Sequence, residues 1–309
     1  MLRTPRIAFL AGYGRNGGTL LDRTLGSFQG AVSLGELRFV WRKGLQRNEL
    51  CSCGLAFRDC QFWREVFDLA YGGFERVDAD AMIRLYRAVD RTRYVPFLAS
   101  ALRPAGFEQR ATELARRLSP LYAAIAQVSG AEVLVDSSKF AGYGWILSRL
   151  EGFETYTIHL VRDPRAASYS WSKSVRKPEV ANSEALMPRA NPVSAAVQWT
   201  YRNLAAETLR RCSTRYRRVR YEDFARAPRE QGEELARWLG LEPAVRSAFI
   251  TDNEVMLEPG HTQSGNPVRF RSGATTIKVD DEWRTKMPRT QRLTVGCLTA
   301  PLRSRYGYR

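Results

Sequence analysis

Apolar residues gather in four short runs, Arg6–Ala11, Glu132–Asp136, Tyr156–Val161 and Arg217–Tyr221, with a weaker one at Ala31–Leu34. Runs of this length predict core strands. Between them the period changes. Leu114, Leu118, Leu121, Ile125 and Val128 recur at intervals of four and three, which draws one apolar stripe along a helix, and Gly130 stands where its C-terminal cap belongs. Leu235, Trp238 and Leu239 mark a second amphipathic helix, entered at Pro228 and left at Gly240. Strands alternating with helices imply an α/β, three-layer sandwich: a mostly parallel sheet of about five strands, covered on both faces.

One domain over residues 1–309 accounts for this pattern, with a helical insertion at 64–130. Residues 176–192 are polar and contain three prolines, which predicts a mobile surface loop. The first strand begins within ten residues of Met1, leaving no room for a signal peptide's apolar core. No run approaches the ~20 apolar residues of a membrane span. The expectation is a cytoplasmic protein, monomeric or homodimeric.

Charge narrows the partners. Lys and Arg outnumber Asp and Glu by 48 to 32, a net charge of +16, which favours anionic ligands. The basic residues are spread along the chain, so a dedicated nucleic-acid tail is not expected. Five cysteines, an odd count, argue against a complete disulfide framework. Cys51, Cys53 and Cys60 do cluster, but both histidines, His159 and His261, lie far away in sequence. Zinc, a local disulfide and reduced thiols in a loop are the three readings, with reduced thiols favoured; none makes these cysteines catalytic.

Gly12 to Thr19, Gly-Tyr-Gly-Arg-Asn-Gly-Gly-Thr, follows the first strand and opens a helix at Leu20. Glycines bring backbone N–H groups close to an anion at a helix N-terminus, so the layout is P-loop-like. The ATPase pattern would need Lys at position 18; here Gly18 stands there, Thr19 is kept, and the loop's cation is Arg15. Other strand ends deliver Gly35-Glu36, Asp136-Ser137-Ser138-Lys139, Arg162-Asp163-Pro164-Arg165 and Tyr221-Glu222-Asp223. In open parallel sheets ligands collect at this edge. Asp163 can cap a helix begun by Pro164, with Arg162 at its mouth and Ser170 two turns in, a second anion site.

These segments resemble the sulfotransferases that use 3′-phosphoadenosine 5′-phosphosulfate. The Arg15-Asn16-Gly17-Gly18-Thr19-Leu20 stretch resembles their 5′-phosphosulfate loop, and Arg162 with Ser170, eight residues on, their 3′-phosphate motif. Tyr221-Glu222-Asp223-Phe224 is similar to a strand end whose Tyr lies near the adenine. The likeness is to bacterial members and to the Golgi and tyrosylprotein branch, not the cytosolic branch with its catalytic His. It implies sulfuryl transfer to an acceptor hydroxyl by in-line displacement, leaving adenosine 3′,5′-bisphosphate and needing no metal. It implies Glu36, 21 residues after Arg15, as general base, since a carboxylate shielded from water becomes more basic. Arg15 and Lys139 are the expected stabilisers of developing charge. A C-terminal segment, residues 259–280, is expected to cover the cofactor, with Arg269, Arg271 and Lys278 as candidates for the 3′-phosphate and Phe270 over the base.

His159, in mid-strand, is a weaker base candidate and a better core residue. Trp41, Trp63, Tyr86, Tyr94 and Trp171 are candidates to line an acceptor pocket, whose occupant could be a small molecule, carbohydrate, lipid or peptide. Two other classes compete: a small-molecule kinase using ATP and magnesium, which Gly18 disfavours, and a non-catalytic nucleotide- or polyanion-binding protein.

Overall fold

The computed structural model describes residues 4–98, 100, 103–176, 186–242 and 248–309. Along the chain run β1 (Arg6–Ala11), α1 (Gly18–Gly26) and β2 (Ala31–Gly35), then a helical stretch of α2 (Gln61–Tyr71), α3 (Ala79–Val89), α4 (Val95–Leu98) and α5 (Phe107–Ser129). The sheet resumes with β3 (Val133–Lys139), α6 (Ala141–Leu147), β4 (Glu154–Val161), α7 (Pro164–Ser172), α8 (Pro192–Thr208) and β5 (Arg215–Arg220). The remainder comprises α9 (Tyr221–Arg226), α10 (Pro228–Trp238), β6 (Glu254–Leu257), β7 (Gly273–Thr276), α11 (Trp283–Lys286), α12 (Arg289–Leu298) and α13 (Ala300–Arg305).

Five strands form one parallel sheet in the order β2-β3-β1-β4-β5. Alternation along β1 explains its central place. Ile7, Phe9 and Ala11 enter one core with Leu118, Leu121 and Ile146, while Ala8 and Leu10 enter the other with Leu21, Ile158, Leu160 and Leu235. The predicted stripe on α5 faces the first core, with Leu114, Leu118, Leu121 and Ile125 fully buried and Val128 at its margin. Gly130 caps that helix at φ 65°. The Asp163 carboxylate accepts the Arg165 N–H at 2.8 Å and Pro164 opens α7, the cap that the sequence predicts.

Two features were not foreseen. Tyr221 begins a helix instead of ending a strand. Strands β6 and β7 pair antiparallel, Leu257 opposite Gly273, apart from the main sheet. This hairpin closes the base of a strap, residues 258–272, that crosses to the far edge of the main sheet. There Gln263 pairs in parallel with Gly35, accepting the Glu36 N–H at 2.9 Å and donating to Leu34 at 2.9 Å. Of the predicted loop at 176–192, residues 177–185 lie outside the described residues.

Beneath the strand ends sit two buried carboxylates. Asp22 accepts the Gly35 N–H at 3.1 Å and the Ser137 hydroxyl at 3.3 Å, and burial pushes its pKa up to about 7. Asp136 accepts the Tyr122 hydroxyl at 2.5 Å, and burial pushes it up to about 6. Both values lie above the ~3.9 of an unfolded Asp, so the folded state keeps protons that the unfolded chain releases. Their contribution is therefore fully present below about pH 4 and is lost as pH rises to about 7; the share of Asp22 is on the order of 3–4 kcal/mol. Asp22→Asn should melt a few degrees above the wild type at pH 8 and close to it at pH 5. Melting curves at the two pH values check this; an equal difference at both would refute a protonation origin.

Candidate active site

The turn after β1 narrows to Gly17, which adopts φ 86° so that the first turn of α1 opens on the cleft. A Cβ at Gly17 would stand 2.4 Å from the Tyr221 ring, so backbone and ring are in direct contact there. Asn16 holds the loop from beneath: its amide donates to Leu160 O at 2.7 Å, and its Oδ1 accepts the Gly18 N–H at 3.1 Å. Thr19 Oγ1 accepts the Asn266 N–H at 3.2 Å, joining loop to strap. Arg15, Lys139 and Ser264 all take left-handed backbone, at φ 63°, 71° and 65°, and all line the cleft. Non-glycine residues accept that strain chiefly where the surroundings over-determine them, often at functional sites.

The cleft has a volume of about 350 Å³. Arg15, Asn16, Gly17, Gly18, Thr19, Leu20, Glu36, Lys139, Arg162, Ser170 and Tyr221, all singled out from sequence, line it. Arg162 is its buried cation. The guanidinium lies 4.6 Å from the Tyr221 ring centroid and donates to Arg15 O at 3.1 Å, to Asp280 O at 3.0 Å and to the Asp280 carboxylate at 2.9 Å. Its Nε is buried without an acceptor among the described residues. Arg15 packs over Trp171, and no carboxylate ion-pairs with it among the described residues. Burial lowers its pKa, against the opposing pull of the Glu36 carboxylate.

Glu36 meets Lys139. A register slip in β3, past the Phe9–Asp136 pair, sets Lys139 opposite Ala11, and its Nζ donates to Glu36 Oε1 at 2.5 Å and to Ser137 O at 2.9 Å. Glu36 thus pairs with neither Arg15 nor Arg38; Arg38 is engaged by Asp90 at 2.6 Å. Glu36 Oε2 accepts no hydrogen bond from the described residues. Behind this pair opens a second cavity of about 410 Å³, walled by Tyr13, Phe39, Phe140 and Trp171. Glu36 and Lys139 line both cavities.

Three expectations need correction. Arg269 turns inward, 1% exposed, and donates to Thr262 O and Leu50 O at 2.8 Å each; it braces the strap and does not line the cleft. Arg271 and Lys278 are exposed and also stand outside the cleft wall, whereas Lys43, which no motif singles out, lines it and donates to Ser264 Oγ at 2.7 Å. Of the aromatics proposed for an acceptor wall only Trp171 serves. Trp41, Trp63 and Tyr86 are core residues and Tyr94 packs on Phe107. Tyr13, Phe39 and Phe140 sit beside polar strand-end residues, and that adjacency was the signal to follow. His159 is a core residue as expected, flanked by Tyr216 at 2.7 Å and Asn203 at 2.9 Å, with burial pushing its pKa down to about 4.

A parallel α/β sheet with cationic loops at its strand ends is suited to anionic ligands. The chain belongs to the Sulfotransferase family, whose sequence model matches residues 6–244. Its fold is similar to that of the sulfotransferase domain from the curacin biosynthetic pathway, at 19% identity and TM-score 0.50, covering 100% of this chain and 99% of that one. The sulfotransferase domain of the Synechococcus PCC 7002 olefin synthase aligns at 21% identity and TM-score 0.49, covering 97% and 96%. No curated protein matches the chain at a significant level. No helix among the described residues is long and apolar enough to cross a membrane.

Proposed function

We propose that this sulfotransferase moves a sulfuryl group from 3′-phosphoadenosine 5′-phosphosulfate to the hydroxyl of a small acceptor, with Glu36 as general base. One observation carries the reading: two cavities, one cationic and one aromatic, meet at Glu36 and Lys139. The residues fit such a donor. Arg162 has a buried Nε with no partner among the described residues, and the Asp280 carboxylate on its Nη2 stands in for a phosphate oxygen. The Asn16–Leu20 loop suits the 5′ end, Arg162 and Ser170 the 3′-phosphate, and Tyr221 the adenine.

The donor would supply an activated sulfuryl group, already poised for transfer. The chain's part is position and charge. Glu36 Oε2, without a partner among the described residues, is placed to take the proton of a hydroxyl held in the aromatic cavity, while Lys139 orients the carboxylate through Oε1. Lys139 and Arg15 face the same space with positive charge, where negative charge would grow on the bridging oxygen. With both histidines outside the cleft, a carboxylate base fits better than an imidazole, the arrangement expected of the tyrosylprotein-like branch. The aromatic walls favour an acceptor with an apolar or aromatic body.

Calorimetric titration of the wild type tests the donor class. Adenosine 3′,5′-bisphosphate should bind with micromolar or better affinity in the presence of EDTA, and ATP with magnesium should bind at least about tenfold more weakly. Preference for magnesium-ATP would turn the assignment to a kinase; binding of neither would remove it.

A further inference from the structure

Three thiols and one imidazole converge where the strap crosses the segment leading into α2. The ligand atoms of Cys51, Cys53, Cys60 and His261 all lie within 4.8 Å of one another. His261 Nδ1 is 3.2 Å from Cys60 Sγ and 3.9 Å from Cys51 Sγ, across more than 200 residues of sequence. All the thiols are free, with Cys51 and Cys60 buried and Cys53 partly open to solvent.

The surroundings aim these groups at one point. Gly54, at φ 92°, turns the Cys51-Ser52-Cys53 segment and donates to Cys51 O at 2.9 Å, while the Cys51 N–H donates to Leu55 O at 2.9 Å. The Ser52 hydroxyl donates to Gly260 O at 2.7 Å and accepts the Thr262 N–H at 2.8 Å, gripping the strap on both sides of His261. The Trp63 indole donates to His261 O at 3.0 Å, and the Phe62 ring stacks on the imidazole at 4.8 Å. An imidazole fixed in this way and turned onto three thiols is a ligand set in waiting, and hydrogen bonding to sulfur alone would reward it weakly.

We propose that Cys51, Cys53, Cys60 and His261 bind one zinc ion and so fasten the strap to the body of the domain. A tetrahedron with Zn–S of about 2.3 Å and Zn–N of about 2.0–2.1 Å sets its ligand atoms roughly 3.5–3.8 Å apart, a small contraction of the cluster seen here. The protein fills all four positions, so the ion is structural and has no place for a reacting water. On binding, the three thiols pass their protons to solvent and coordinate as thiolates. Ser264, Gly265 and Asn266 follow His261 within five residues and line the cleft, while Gln263 O accepts the Glu36 N–H, so the ion would hold one wall of the site in place. The sequence placed both histidines too far off to serve; the fold brings one of them back. The inference concerns metal content and stability and stands whatever donor the cleft takes.

The test is elemental analysis of the full chain, expressed with zinc and dialysed under reducing conditions, alongside Cys60→Ser, His261→Ala and the control Cys212→Ser. Wild type and control should carry about one zinc per chain and the two cluster variants under a tenth of that. EDTA should lower the wild-type melting temperature by about 5 °C or more and leave Cys212→Ser equally sensitive. If the cluster variants do not fold, wild-type protein loaded with cobalt decides, through the thiolate charge-transfer and tetrahedral d–d bands. Wild type that holds no zinc and melts identically with and without EDTA overturns the proposal. So does a thiol titration of unreduced, denatured protein that finds two of the three cluster cysteines joined as a disulfide.

Discussion

Glu36→Gln should lower turnover about 10²- to 10⁴-fold while adenosine 3′,5′-bisphosphate affinity changes less than about threefold. The substitution keeps the shape of the side chain and an oxygen to accept from Lys139, whose Nζ lies 2.5 Å from Oε1. It removes the capacity to take a proton at Oε2, the oxygen without a partner among the described residues. Glu36 lines both cavities, so its loss strikes the point where donor and acceptor meet, away from the loop at Arg15–Leu20. Steady-state rates and calorimetry on the same preparation give the answer. Unchanged turnover would remove Glu36 as the base; turnover and product affinity lost in proportion would make it a binding residue.

Arg162→Ala should weaken adenosine 3′,5′-bisphosphate binding by about 10²- to 10³-fold, the loss of a buried, charge-assisted contact. Its sharper signature is discrimination. Wild type should prefer the 3′,5′-bisphosphate over adenosine 5′-phosphate, and the variant should bind the two almost equally. Collapse of the loop would weaken both nucleotides alike and preserve their ratio. That control matters because Arg162 also donates to Arg15 O and Asp280 O, and its truncation loosens neighbours. A retained preference for the 3′-phosphate would place that group elsewhere.

Strands β1 to β4 were legible as bounded apolar runs, whereas β5, Arg-Tyr-Arg-Arg-Val-Arg, has Val219 as its one buried residue; the site was legible because it hangs on the ends of these strands. Local chemistry sufficed for the Asp163–Pro164 cap and for His159, whose neighbours in β4 are apolar. What escaped was long-range or weakly patterned. Strands β6 and β7 have four residues each, Glu-Val-Met-Leu and Gly-Ala-Thr-Thr, too short for alternation to stand out. Arg269 looked like a ligand-binding cation because a guanidinium in a polar segment gives no sign that backbone carbonyls will claim it. His261 meets Cys60 across 201 residues, a distance that no periodicity encodes.

The docking of Gln263 beside Gly35 has a further meaning for the chain outside its chemistry. Strand β2 is one of the sheet's two outermost members, and an outermost strand is a template on which other chains can assemble. Gln263 caps only its last residues, next to Glu36, so the same backbone bonds that shape the cleft also blunt one margin of the sheet. Release of the strap would bare that margin, and loss of function and self-association would begin together.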